Sequence, residues 1–228
     1  MRKGISRKKK MASTIISGAD GPTSVFIAGK SGGESIFRRI RTNIRRKRYQ
    51  QKRAKLAARL VPDSHSLAEV CAYIKEKYQA KEISAADFRY KERYGSLKAS
   101  MIQKYQPELL GESLETYRPK DFTDMEAVKR FLDLCEEQVA RAVDIPQEQF
   151  PFDYHQYQIA IDACGTLDID MDLTHEYLSY GYSAEKGKRK AMDRIVRDIY
   201  LYYGVTKEDM EQNSERMQSL LTILASID

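Results

Sequence analysis

The stretch Tyr157-Gln158-Ile159-Ala160-Ile161-Asp162-Ala163-Cys164-Gly165-Thr166-Leu167-Asp168-Ile169-Asp170-Met171-Asp172-Leu173 decides the fold. On each side of its centre an apolar residue stands at every second position, with Gln, Ala or Asp between. Successive side chains of a strand point to opposite faces, so a period of two writes a half-buried hairpin rather than a helix. A three-residue loop Ala163-Cys164-Gly165, with Gly165 left-handed, sets Ile161 opposite Leu167 and Ile159 opposite Ile169. Every apolar residue then shares one face, and Asp168, Asp170 and Asp172 share the other. A two-residue loop scrambles the faces. The aspartates read as a solvated sheet face. As a cation site they lie about 7 Å apart along one strand, and no Gly-bearing calcium loop follows. Glu176–Ser183 adds a third strand, so the sheet spans about 153–183.

Outward from the hairpin the period changes to that of helices. Ser66 with Glu69 forms a capping box that opens a helix to about Gln79. Ser84 with Asp87 opens another, to about Tyr105, before Pro107. Thr123 with Glu126 opens a third, whose Val128, Phe131, Leu132, Cys135 and Val139 share a face. A helix from about Lys186 to Tyr203 carries Met192, Ile195, Val196, Ile199 and Leu201, with Gly204 as its C-cap. Thr206 with Asp209 opens a last segment to about Ala225. The fold class is therefore α+β: helix-rich, with a small antiparallel hairpin or three-stranded meander, plus a basic N-terminal arm and helix.

The arm is where the charge lies. The 228 residues carry a net charge of +6. Residues 1–60 hold 18 Lys/Arg against 2 acids, while the rest hold 21 against 31. Such a split suits an arm that meets a polyanion or folds onto its own acidic body. By composition the chain divides into a disordered basic leader at 1–12, a hairpin or loop at 13–33, a basic helix at 34–60, and a helical α+β body at 63–228. In the basic helix Ile36, Phe37, Ile40 and Ile44 form an apolar stripe, and Pro62 ends the element. Three uses of this helix stand open. It lays Arg38, Arg41, Arg45, Arg46, Lys47, Arg48, Lys52 and Arg53 along RNA or DNA phosphates. It lies in an anionic membrane surface. Or it packs its stripe on the body with its charges solvated.

Other chemistry is sparse. Cys71, Cys135 and Cys164 are odd in number and widely spaced, which fits buried thiols in a reducing compartment. No window reaches the roughly 18 apolar residues of a span, and no secretory signal is visible, so the expected location is cytoplasmic. Gly29-Lys30-Ser31 imitates the end of a P-loop, but the earlier Gly required by that motif is Ser24. No catalytic dyad, metal-ligand spacing or cofactor motif is legible, and the expectation is a non-catalytic interaction protein with nucleic-acid, membrane-surface or protein partners.

One segment stands apart. Ile15-Ile16-Ser17-Gly18-Ala19-Asp20-Gly21-Pro22-Thr23-Ser24-Val25-Phe26-Ile27-Ala28 resembles a segment of the beta subunit of sodium-ion-translocating decarboxylases. The remainder is similar to soluble bacterial proteins that carry this segment ahead of a helical body. The resemblance implies that Asp20, with Gly21, Thr23 and Ser24, contacts an ion or ligand. It also implies an accessory role in such a pump. Without any ligand, Asp-Gly-Pro makes a tight turn between two short strands.

Overall fold

The computed structural model describes residues 17–18, 21–22, 36–111, 113–119, 121–161, 165–184 and 189–227, with 17–18, 21–22, 36–40 and 184 described by their backbone. In chain order the elements are β1 Ser17–Gly18, β2 Gly21–Pro22, α1 Ile36–Ala57, β3 Asp63–Ser64, α2 Leu67–Tyr78, β4 Lys81–Glu82 and α3 Phe88–Tyr105. Two 3-10 turns follow at Pro107–Leu110 and Leu114–Tyr117, then α4 Met125–Asp144, β5 Tyr154–Ile161, β6 Gly165–Asp172, β7 Tyr177–Ala184, α5 Arg189–Tyr203, β8 Gly204–Val205, α6 Lys207–Gln212 and α7 Glu215–Ser226. The class is α+β, as the alternation and the capping signals require. The leader 1–12 lies outside the described residues.

The sheet is antiparallel throughout, in the order β4-β5-β6-β7. The third strand is present as β7. The fourth, β4, pairs Lys81 with Gln158 and Glu82 with Tyr157; two residues are too few to show a period. The hairpin register differs from the sequence expectation by two residues. Ile161 faces Gly165, Ile159 faces Leu167 and Tyr157 faces Ile169, so residues 162–164 join the strands. Gly165 does take a positive φ, +118°, but as the first residue of β6. A shift of two preserves parity, so the partition of side chains between faces is unchanged.

The apolar face carries Tyr157, Ile159, Leu167, Ile169 and Met171 onto Val70 and Ile74 of α2, Val196 and Ile199 of α5, and Leu220 and Leu224 of α7. The other face is covered at Asp170 and Asp172 and stays half-exposed at Asp168, which corrects the reading of the aspartate ladder as wholly solvated. Helix α3 lies across it, and a second cluster of Ile102, Ala142, Phe150, Phe152 and Tyr154 closes one end. Asp170 is 2% exposed and Asp172 is 0% exposed. Alternation separates the two faces of a strand but says nothing about what covers the polar one.

Local signals set the helix ends. The Ser66–Glu69 box caps α2 with both reciprocal bonds. Asp87 and Asp124, rather than Ser84 and Thr123, cap α3 and α4. Helix α4 turns Phe131, Leu134, Cys135 and Val139 inward and leaves Leu132 outside. Its C-terminal end is tied to α3 by Lys98, a buried ammonium that donates to the Ile145 carbonyl at 2.5 Å. The last helix breaks in two at Asn213, which is left-handed, and Ser214 caps α7. Gly204 sits at φ +57° where a Cβ would lie 1.8 Å from the Asp63 carbonyl oxygen, so only glycine lets β3 and β8 pair.

Helix α1 docks by its C-terminal half against α7. Leu56, Ala57 and Leu60 pack on the main core. The Lys52 ammonium donates to the Ile227 carbonyl at 2.9 Å, and the Arg53 guanidinium donates to the Gln218 amide oxygen. Of the apolar stripe, Ile44 is 46% exposed. The side chains of Ile36, Phe37 and Ile40 lie outside the described residues.

Candidate functional site

Two surfaces gather chemistry. The first is the free half of α1. Each residue from Arg41 to Arg48 is exposed, and Arg41, Arg45, Arg46, Lys47 and Arg48 have no ion-pair partner among the described residues. Eight residues of helix run about 12 Å. Of the proposed polyanion contacts these five stand together in solvent. Lys52 and Arg53 stand apart from them: they are half-buried, Arg53 donating to Gln218 of α7 and Lys52 to the Ile227 carbonyl just beyond it. Arg38 lies in α1, with its side chain outside the described residues. At the segment that resembles the pump subunit, Ser17 pairs with Pro22 and Gly18 with Gly21 in a two-rung antiparallel ladder. Gly21 therefore serves a tight hairpin, while Asp20, Thr23 and Ser24 lie outside the described residues.

The second surface is a cleft of about 780 Å³ between α3, α7 and the β6–β7 turn. Asp170, Tyr177 and Ser179 of the polar sheet face line it, together with Leu178, Tyr200, Leu220 and Ile223 of the main core. Asp170 receives Arg93 of α3 at 2.7 Å on one oxygen and the Tyr154 hydroxyl at 2.7 Å on the other. Burial works against the charge of Arg93, but Asp170 outweighs it and the guanidinium is held above its usual range. Burial first, then the charge of Asp170, pushes the Tyr154 phenol far up. Ser179 is buried opposite Asp170 on β7. Gln156, the cross-strand partner of Asp170 on β5, is buried with its amide oxygen unpartnered among the described residues.

Where the polar face meets the turn, Asp172 and His175 form a pair that the sequence reading missed. One oxygen of Asp172 accepts the backbone N–H groups of Asp153 at 3.1 Å and Thr174 at 3.0 Å. The other takes Nδ1 of His175 at 2.5 Å. The imidazole is held between the rings of Tyr105, at 4.8 Å and 20°, and Phe150, at 4.9 Å and 14°. An ionised carboxylate only accepts, so the shared proton sits on Nδ1 of His175. His175 lines the cleft, and Nε2 has no partner among the described residues.

The mouth of the cleft is acidic. Glu176 and Glu215 are widely exposed there. The cations are already engaged. Arg216 donates to the carbonyls of Gly204 and His65, each at 3.0 Å, and of Tyr203 at 2.5 Å, and lies over the Tyr203 ring. Lys104 meets Glu215 at 2.5 Å and stands 5.0 Å above the Tyr105 ring.

Sequence held one faint signal for this site. An aspartate at a strand end, two residues before a backbone N–H it can accept, is an Asx turn, and His175 follows it directly. The partners on α3 are long-range and leave no local trace. No family model, curated protein or solved structure matches the chain.

Proposed function

We propose that the protein is a non-catalytic interaction protein whose basic helix binds nucleic-acid phosphates. The observation that supports this reading is the contrast within α1. Its C-terminal half is docked, while Arg41–Arg48 is exposed on all sides. A helical segment without packing has little to stabilise it, and five like charges in eight residues oppose it further. A phosphate backbone removes that repulsion and releases counterions. An interfacial helix on an anionic membrane, with Ile36, Phe37, Ile40 and Ile44 in the headgroups, is the alternative that the test separates.

The test is a fluorescence-anisotropy titration with a short RNA and a short DNA duplex. Affinity should depend little on sequence and should fall steeply with salt, with a slope of about −0.9 per phosphate neutralised on duplex DNA. Replacing Arg45, Arg46, Lys47 and Arg48 with Gln should flatten the slope by about 4 on duplex DNA while leaving the thermal melt in place. Loss of binding on Lys52→Gln and Arg53→Gln, with those four changes silent, would move the site to the docked half. Binding to anionic vesicles but not to RNA or DNA, abolished by Ile44→Asp, would replace this reading with the membrane one.

A further inference from the structure

We infer that the cleft between α3, α7 and the β6–β7 turn is a binding site for a small organic cation, an amine- or guanidinium-bearing molecule. The site is remote in its chemistry from the basic helix and does not depend on the reading of that helix.

The cleft has the size of a small-molecule site. At about 780 Å³ it falls within the roughly 300–1,000 Å³ of such pockets. Its lining decides the class of ligand. Arg93, Lys104 and Arg216 stand against Glu115, Asp170, Glu176, Asp209 and Glu215. Arg93 is engaged by Asp170, and Arg216 by three carbonyls. What remains outward is acceptor-rich: the widely exposed carboxylates of Glu176, 3.9 Å from Arg216, and of Glu215, held by Lys104. Acceptors of this kind call for N–H donors, and a positive charge on those donors is favoured by the excess of carboxylates.

The chain already displays the recognition. Lys104 places its own ammonium against Glu215 and over the face of Tyr105, the combination of carboxylate and aromatic ring by which organic cations are held. Burial opposes that ammonium, and its bond to Glu215 and the nearby Tyr105 more than offset it, so its pKa is raised. Lys104 is thus a resident occupant of one end of the site, and an incoming amine competes with it for Glu215. Asp172 fixes the orientation of His175 through Nδ1 and leaves Nε2 without a partner among the described residues. The ring is clamped before any ligand arrives, which lowers the ordering penalty of binding.

The experiment is isothermal titration calorimetry on the full chain with three probes of equal length: 1,5-diaminopentane, 1,5-pentanediol and glutarate. The diamine should bind saturably, with the diol and the dicarboxylate weaker by roughly tenfold or more, equivalent to about 1.4 kcal/mol. Because amines also gather on any acidic surface, Glu176→Gln with Glu215→Gln should weaken the diamine by roughly tenfold, whereas Glu137→Gln on the exposed side of α4 should not. Lys104→Met should tighten binding by removing the internal competitor. His175→Phe should weaken it; if that variant melts early, the Glu and Lys104 variants on the rim still decide. Equal binding of the diol or glutarate, equal effects of the cleft and α4 carboxylates, or weaker binding by Lys104→Met would each overturn the assignment.

Discussion

The two faces of the central sheet are made by the same strands and are buried by different rules. On the dry face Ile159, Leu167, Ile169 and Met171 meet α2, α5 and α7. No contact there needs a particular partner; a side chain of similar volume and shape serves nearly as well. On the polar face Asp170 and Asp172 are just as deeply buried, but each oxygen has a named donor: Arg93 and the Tyr154 hydroxyl for the first, two backbone N–H groups and His175 for the second. Burying a charge is tolerated only when it is paired and hydrogen-bonded. The dry face is therefore robust and anonymous. The polar face is specific and brittle, and the cleft opens onto it.

The sharpest way to break this contrast is to remove one member of the Asp170–Arg93 pair. Asp170→Leu leaves a guanidinium in a largely enclosed site without its carboxylate and strips the Tyr154 hydroxyl of its acceptor. The expected loss in urea unfolding is about 3–5 kcal/mol, while Asp170→Leu combined with Arg93→Met should recover most of it. A single variant within 1 kcal/mol of the parent would mean that the pair does not constrain this face.

How much of this was legible follows the same division. The alternation at Tyr157–Leu173 gave the hairpin, its faces and the positive φ of Gly165, because each is a local property. It missed the register by two, since both registers keep every apolar residue inward and differ only in which residues form the loop. It also took the aspartate face for a wet one. Nothing near residue 170 announces Arg93, which reaches it from 77 positions away. On α1 the charge run was plain, but its division was not. Lys52 and Arg53 look like their neighbours in sequence and differ only because α7 stands beneath them. Functional chemistry assembled across elements leaves little in a single sequence, and the cleft is built in that way.

A second effect, spread over both faces, appears at alkaline pH. Burial raises the phenols of Tyr154, Tyr157, Tyr180 and Tyr200 above the ordinary value of 10.0, and those of Tyr182 and Tyr203 up to about 12. A phenol whose folded pKa is raised binds its proton more tightly in the folded state. Its contribution to stability is complete below about pH 10, declines once the unfolded chain begins to ionise, and is lost through the folded pKa. Equilibrium unfolding at a series of pH values should show stability falling from about pH 10 and on through about pH 12. Tyr154→Phe should reduce that alkaline loss more than Tyr182→Phe, because burial and Asp170 hold the Tyr154 phenol higher than burial and Asp193 hold that of Tyr182. Equal losses in the two variants would argue that the Tyr154 phenol is held no more tightly than that of Tyr182.

The dry face predicts tolerance. Ile169→Leu conserves volume and leaves no polar group orphaned, so its cost should stay below about 1.5 kcal/mol. A larger cost, measured against Asp170→Leu under the same conditions, would show that shape on the apolar side is held as tightly as pairing on the polar side.

The smallest effect belongs to the outermost rung of the ladder. Asp168 shares a strand and a face with Asp170 and Asp172, yet it is half-exposed and its partner is the Gln158 amide at 2.8 Å. Water replaces that bond at little cost once the carboxylate is gone, and no buried cation is left behind. Asp168→Ala should therefore change stability by about 0.5 kcal/mol or less. Since all three aspartates hold equivalent places in the alternation, any argument from pattern alone assigns them equal weight. A graded series, with Asp170 costly and Asp168 nearly silent, would place the constraint in burial beneath α3 rather than in the strand. A loss at Asp168 equal to that at Asp170 would return it to the strand itself.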